Sequence, residues 1–202
     1  CALASTLSAA TSSASLSQPG QPDAVAATGY RAGDRASQSP GVPGEVLYLP
    51  FDDGSYDLAE AFQVIEHFDL VHSRYFLAEV YRVLRPGGCL VVETPDLGES
   101  LRVLSRSDPS NSVAILQWIY GQDSPGLQHK TGFTYSILEG ALEDAGFVDV
   151  QREEPQTHTY EPGTRVSCTR PKDDRGHLLN SMIRKAVRQH LAGADSYVLF
   201  PL

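Results

Sequence analysis

The chain has 202 residues, of which 41% are hydrophobic and 20% charged, and its formal net charge at pH 7 is −9. This length and composition allow one domain with a sizeable core, and no apolar run approaches the roughly 18 residues that a membrane-spanning helix needs. The negative charge argues against nucleic acid or anionic lipid as the main partner.

The first segment differs in composition from the rest. Residues 1–22 contain no charged side chain and are rich in alanine and serine. Such a segment cannot bury enough apolar surface to offset the entropy lost on ordering, so we predict a low-complexity extended arm over residues 1–28. Serine-rich, acid-poor starts resemble remnants of organellar targeting peptides. This favours a chloroplast or mitochondrion as the compartment, although arginine is missing, and the cytoplasm is the alternative.

A strand–helix pattern begins after residue 45. The predicted elements of this part are strands at 46–49 and 56–62, a helix at 74–85 and a strand at 89–94. We expect Pro86-Gly87-Gly88 to stop the helix and Pro95 to end the last strand. Residues 89–94 form a nearly continuous apolar run, which is typical of a parallel strand covered on both faces.

The remainder continues the alternation of elements. We predict helices at 112–120, 135–145 and 178–191, and strands at 147–150 and 165–169. Thr134 is a typical N-cap residue, and Gly146 is a residue typical of the position that ends a helix. The helix between them is expected to bury one face, made of Ile137, Leu138, Ala141, Leu142 and Ala145. Strand–helix alternation in this order indicates an α/β sheet.

Several short motifs occur in one order along the chain. They are Leu-Pro-Phe-Asp-Asp-Gly-Ser-Tyr-Asp at 49–57, Val-Ile-Glu-His at 64–67, Arg-Val-Leu-Arg-Pro-Gly-Gly at 82–88, Glu-Thr-Pro-Asp-Leu at 93–97, Ile-Tyr-Gly at 119–121, His-Lys-Thr-Gly-Phe at 129–133 and Ala-Gly-Phe at 145–147. Together they resemble class I S-adenosylmethionine-dependent methyltransferases of the kind often found beside glycosyltransferases. The resemblance covers roughly residues 29–170 and implies a Rossmann-like α/β sheet.

The resemblance also suggests cofactor-binding residues. Asp34 matches the acid that receives the ribose hydroxyls of S-adenosylmethionine, and Glu45 matches a position near the adenine. An ordinary loop carboxylate is the alternative at both positions. Phe62 and Gln63 would follow the fourth strand of the family, where a small polar residue and histidine are usual. A bulky Phe62 at the pocket mouth would fill space that the cofactor should occupy.

The family's glycine-rich cofactor loop has no counterpart before Gly29. Residues 1–28 offer only Gly20, which stands between Pro19 and Gln21. Proline fixes φ and removes a backbone donor, so this segment is a poor cradle for the methionine part of the cofactor. We therefore predict a sheet that is incomplete at its N-terminal edge.

The candidates for chemistry are His67 and His129. Methyl transfer needs proximity and at most one general base, and histidine can serve as that base. Glu66 precedes His67 directly, so the two side chains are expected to point in different directions without forming a paired site. A structural role for Glu66 and His67 at the helix start, and an anion contact or loop packing for His129, are the alternatives. Sequence spacing indicates no metal site: the cysteines, Cys1, Cys89 and Cys168, lie far apart.

We therefore expect an arm at 1–28, a methyltransferase-like domain at 29–172 and a helical extension at 173–202. The favoured hypothesis is a methyltransferase descendant with a degenerate cofactor site, a pseudoenzyme that serves as an accessory subunit of a larger, organellar protein assembly. It would contact other protein subunits through residues 1–28 and 173–202 and bind no nucleic acid. The alternative is an active enzyme that uses S-adenosylmethionine to methylate a small molecule or sugar. Without that activity no cofactor is expected.

Overall fold

A computed structural model describes residues 13–17, 49, 51–123, 127–155, 162–173, 176 and 180–186. Within them, five strands form one sheet in the order β1-β2-β3-β5-β4. The strands are β1 (Ser13–Ser17), β2 (Tyr56–Phe62), β3 (Leu84–Pro95), β4 (Val148–Glu153) and β5 (Gly163–Thr169). β2 and β3 are parallel, whereas β1 runs antiparallel to β2 and β5 runs antiparallel to both β3 and β4. The sheet is therefore mixed.

Four α-helices connect the strands among the described residues. They are α1 (Leu70–Val83), α2 (Leu97–Arg106), α3 (Ser112–Tyr120) and α4 (Tyr135–Asp144). Residues 180–186 are also helical, inside the span predicted for the last helix. No described helix has the length and apolar character required to cross a membrane.

Side-chain caps begin three of these helices. Asp69 accepts hydrogen bonds from two backbone N–H groups in the first turn of α1, and Asp96 accepts one from the N–H of Glu99 in α2. Thr134 accepts from the N–H of Ile137 and so confirms the predicted cap of α4. These side chains satisfy donors that a helix start would otherwise leave without a partner.

The predicted strand at 56–62 and the predicted helix at 112–120 have the bounds that were expected. The helix predicted at 74–85 begins at Leu70 and ends at Val83, and the strand predicted at 147–150 extends over 148–153. α2 was not predicted. The predicted strand at 46–49 lies outside the described residues except for Leu49, which belongs to no regular element.

Helix α1 ends at Val83, two residues earlier than expected, and Pro86-Gly87-Gly88 lie within β3, which begins at Leu84. Tyr56 lies opposite Leu84 but Leu58 lies opposite Cys89, so residues 85–88 form a bulge in the ladder. The bulge needs glycine: Gly87 has φ +83°, and a Cβ on Gly88 would be 2.9 Å from the carbonyl oxygen of Arg85.

The buried core lies between the sheet and helices α1 and α4. Its fully buried members include Leu77 on α1, Leu90 and Val92 on β3, and Leu138 and Leu142 on α4. Ile137 was expected on the buried face of α4, but 47% of it is exposed. The buried stripe of α4 follows positions 138, 142 and 145, and the residue one step before it already turns toward solvent.

Candidate functional site

A tight turn at the carboxyl end of β2 positions the first part of the site. Gln63 follows β2 with a φ of +54°, an uncommon conformation for a residue with a side chain. Its backbone N–H donates to the carbonyl oxygen of Glu93 on β3, at 2.8 Å. The next residues form a 3-10 helix, Ile65–His67, whose Ile65 is completely buried. The turn is thus anchored to the neighbouring parallel strand and to the core.

Glu66 connects this turn to β3 and to a later loop. Only 2% of Glu66 is exposed, and its Oε2 accepts a hydrogen bond of 2.9 Å from Thr94 Oγ1 on β3. Its backbone carbonyl oxygen accepts from the N–H groups of Lys130 and Thr131, at 2.8 and 3.1 Å. Glu66 therefore holds the loop that carries His129 against the end of β2.

His129 enters the site from the loop after α3. Its backbone N–H donates to the carbonyl oxygen of Tyr120, and its Nδ1 lies 3.1 Å from the carbonyl oxygen of Trp118. Gly121 allows the chain to fold back toward the end of α3, since it has φ +73° and a Cβ there would be 2.8 Å from the backbone nitrogen of His129. The loop is therefore shaped by the end of α3.

The two histidine rings meet edge to face. Their centroids are 5.1 Å apart, with an interplanar angle of 64°, and His67 Nδ1 lies 3.1 Å from the carbonyl oxygen of Gln128. The structure thus brings together both predicted catalytic histidines, although helices α1, α2 and α3 and strand β3 separate them in sequence. Whether either acts as a catalytic base stays a prediction.

Burial favours the neutral form of both histidines. Burial lowers the pKa of His67 below its usual 6.5, against the raising effect of the backbone carbonyls of Gln128 and Gln63. Burial, together with the nearby His67, lowers the pKa of His129 to about 4. Each ring therefore keeps a lone pair that can accept a proton or bind a cation.

A small cleft of about 10 Å³, room for about one water molecule, opens beside these side chains. Its lining residues are Glu66, Pro95, Leu97, Trp118, Ile119, His129, Thr131 and Gly132. Glu66 and His129 are its ionisable members, and the rest of the wall is largely apolar. The cleft therefore places a carboxylate and an imidazole side by side in mostly apolar surroundings.

The expectation that Glu66 and His67 form no paired site was wrong. Glu66 Oε1 lies 4.0 Å from His67 Nε2, and one ligand atom from each of Glu66, His67 and His129 lies within 4.8 Å of the others. Adjacent positions on a 3-10 turn diverge at the backbone, but both side chains are long enough to reach one point. Thr94 and Trp118, which hold the cluster in place, were not predicted as site residues, because their partners are distant in sequence.

Phe62 covers a buried ion pair at the end of β2. The guanidinium of Arg165 lies 4.9 Å from the centre of the Phe62 ring, and Arg165 Nη1 is 3.0 Å from Glu93 Oε2. The pair is nearly inaccessible to solvent. A glutamate inside the apolar run of β3 was the sequence signal for such a partner. Gln63 contributes through its backbone, as described above.

The other two predicted cofactor residues, Asp34 and Glu45, lie outside the described residues. The sheet edge next to β2 is described over residues 13–17, part of the predicted arm. Ser13 of β1 pairs with Phe62, and Ser17 pairs with Leu58. Since β1 is antiparallel, its amino end lies at the carboxyl end of β2.

Comparison with known proteins supports the resemblance seen in the sequence. Residues 22–92 match the model of a family described as a methyltransferase domain. Over 53 residues the chain is 47% identical to a protein of Mycolicibacterium smegmatis named "Probable S-adenosylmethionine-dependent methyltransferase", which covers 26% of this chain and 20% of that protein. It is 29% identical over 140 residues to 24-methylenesterol C-methyltransferase 2 of Arabidopsis thaliana, covering 68% of this chain and 36% of that protein.

A solved structure of a methyltransferase from Methanosarcina mazei has a TM-score of 0.46 and 19% sequence identity, covering 64% of this chain and 66% of the other. The chain spans only 20% and 36% of the length of the two curated relatives named above. The motifs, the mixed α/β sheet and the matched family model agree. Over residues 22–92 the chain is thus similar to a methyltransferase-domain family, and its motifs resemble those of class I S-adenosylmethionine-dependent methyltransferases.

Proposed function

We propose that this chain is a methyltransferase-family protein with a degenerate cofactor site that acts as a non-catalytic accessory subunit of a larger protein assembly. The observation that carries the proposal is the direction of β1 at the sheet edge beside β2. Assembly through residues 1–28 and 173–202, and an organellar location, belong to the same proposal.

The direction of a strand decides what lies at each edge of a sheet. In open α/β sheets, ligands bind outside the carboxyl ends of the parallel strands, where the following loops converge. β1 brings its amino end to that edge, with Ser13 opposite Phe62. Among the described residues, therefore, no glycine-rich turn follows a parallel strand beside β2, and these residues do not fit the methionine part of S-adenosylmethionine.

An accessory subunit also needs a surface for its partner, and α2 and α3 offer one. Large apolar side chains on these two packed helices face solvent: Val113 is 69% exposed, Tyr120 66% and Leu101 49%. Apolar side chains exposed on adjacent elements are typical of protein–protein interaction sites. This surface supports the accessory role and leaves open which subunit covers it.

The second candidate is an active methyltransferase that acts on a small molecule or sugar. It is favoured by Glu66, His67 and His129, whose side chains converge beside an apolar cleft at the carboxyl ends of β2 and β3. A neutral imidazole there could accept the proton of an acceptor hydroxyl. In this candidate, Asp34 and Glu45 would hold the ribose and adenine of the cofactor.

Calorimetric titration with S-adenosylmethionine and S-adenosylhomocysteine distinguishes the two candidates. The accessory role predicts no binding tighter than roughly 100 μM, which corresponds to about −5.5 kcal/mol. Tighter binding that is lost in Asp34→Asn would refute the degenerate site and support the active enzyme. Glu60→Gln, on β2 but outside the proposed ribose contact, is the matched control for the loss of one carboxylate.

A further inference from the structure

Three metal-binding side chains from two distant segments converge at the carboxyl ends of β2 and β3. We propose that Glu66, His67 and His129 form a binding site for one divalent transition-metal ion of the zinc type. Two imidazole nitrogens and one carboxylate oxygen are a donor set that zinc favours, whereas magnesium and calcium favour oxygen alone. The site does not depend on whether the chain binds S-adenosylmethionine.

The histidine rings are already oriented as metal ligands are. Nδ1 of His67 lies 3.1 Å from the carbonyl oxygen of Gln128, and Nδ1 of His129 lies 3.1 Å from that of Trp118. A carbonyl oxygen only accepts, so these contacts favour the tautomer with the proton on Nδ1 and the lone pair on Nε2. The carbonyl oxygens of Gln63 and Ile119 are further backbone acceptors beside the two rings. Metal-binding histidines show this pattern, in which the second nitrogen donates to a backbone or carboxylate oxygen.

The carboxylate is positioned as firmly as the rings. Thr94 Oγ1 donates to Glu66 Oε2 at 2.9 Å, which leaves Oε1 directed toward His67 Nε2 at 4.0 Å. Two hydrogen bonds to the Glu66 backbone carbonyl, from Lys130 and Thr131, tie the His129 loop to the same turn. The two segments are thus held together without any ion.

The distances suit an ion after a small contraction. In tetrahedral zinc sites, ligand atoms about 2.1 Å from the metal are about 3.4 Å from one another. The ligand atoms here all lie within 4.8 Å of each other, so binding would draw the widest pair together by at most about 1.4 Å. Side-chain torsions of Glu66 and the histidines can supply that movement while the hydrogen-bonded backbone stays in place.

Charge and access also fit a site with one exchangeable ligand. The buried Glu66 carboxylate supplies a negative charge, and Lys130, whose charge opposes a cation, is exposed to solvent. Glu66 and His129 line the small cleft, so an ion held by three protein ligands would face that cleft. Its fourth position would then be open to water or a small anionic or hydroxyl-bearing ligand.

Titration of the metal-free, chelator-treated full chain with Zn²⁺ tests the site. We expect one ion per chain, and we expect His67→Gln, His129→Gln and Glu66→Gln each to weaken binding at least about tenfold. His72→Gln is the matched control, because His72 lies on α1 and pairs with Asp69, at 2.6 Å. Absence of binding by the unaltered chain, or unchanged binding by His129→Gln, would overturn the proposal.

X-ray absorption of the zinc-loaded, unaltered chain keeps the test valid if a variant fails to fold. We expect only nitrogen and oxygen neighbours at about 2.0–2.1 Å, with the multiple scattering of two imidazoles. Sulfur neighbours at about 2.3 Å, or a single imidazole, would place the ion elsewhere and contradict the assignment.

Discussion

Replacing Arg82 with methionine should disconnect the motif at residues 49–57 from α1. The Arg82 side chain is 7% exposed and donates to the carboxylate of Glu79 at 2.8 Å, to the carbonyl oxygens of Leu49 and Phe51 at 2.8 and 2.6 Å, and to Asp53 Oδ1 at 2.8 Å. One guanidinium thus holds the backbone before β2 against the end of α1. Methionine keeps much of the side-chain volume but none of these donors.

The cost follows from the charge that remains. Removing one member of a buried ion pair costs about 3–5 kcal/mol, because the other charge stays in the interior. Arg184 Nε lies 2.7 Å from Glu79 Oε1 and still compensates part of that charge. We therefore expect Arg82→Met to cost about 3 kcal/mol, the lower end of that range. For a domain of this size, that lowers Tm by about 6–12 °C.

Urea unfolding followed by circular dichroism measures the change, with an unchanged slope as evidence that only stability differs. Asp53→Asn is the control: Asp53 is 70% exposed, so its removal should cost less than about 1 kcal/mol. The double variant Glu79→Met with Arg82→Met should be more stable than the sum of the single changes predicts. Equal effects of Arg82→Met and Asp53→Asn, or simple additivity, would refute the buried-charge argument.

Three further predictions concern the loops and helix ends. The native pKa of about 4 for His129 lies below its unfolded value, so the unfolded chain binds more protons. The free energy of unfolding should therefore fall as pH drops from about 6.5 toward 4. The slope of the urea midpoint against pH should be smaller in His129→Gln. Gly121→Ala, at φ +73° and with a Cβ that would overlap the carbonyl oxygen of Leu127, should cost about 2 kcal/mol or more. Gly140→Ala, whose Cβ meets nothing within 4 Å, should gain up to about 1 kcal/mol, and equal urea midpoints for the two variants would contradict this. Thr134→Ala should cost about 1 kcal/mol by removing the acceptor for the Ile137 N–H, and Thr134→Ser should restore most of it in the same thermal unfolding assay.

The elements predicted correctly are those whose signals are local. β2 follows an Asp-Gly turn, and α4 begins at a threonine cap and ends before Gly146, which has φ +99°. Such features depend on a few neighbouring residues and can be recognised without knowledge of the rest of the fold. The bulge at 85–88 could not, because Pro-Gly-Gly is also the ordinary signature of a helix end.

The direction of β1 was not predictable for a related reason. Its sequence, Ser-Ala-Ser-Leu-Ser, offers a single large apolar side chain, Leu16, which is 5% exposed and lies opposite Ala59. A strand of small residues specifies its register and direction weakly. The register and direction of β1 depend on the backbone groups and side chains at the edge of β2, and these are in place only once the sheet has formed.

In the candidate site, too, some features follow from the local sequence and others only from the tertiary structure. The ordered motifs between residues 49 and 147 indicated the resemblance to methyltransferases, since each of them encodes a local strand, turn or helix end. Tertiary structure alone decided that Arg82 holds the first of these motifs and that His129 meets Glu66 and His67. Those contacts are made by side chains from separate elements, and packing of the core fixes how the elements lie. The sequence therefore determined the local strands, turns and helix ends. The burial of α1, β2 and β3 in one core determined which side chains meet at the candidate site.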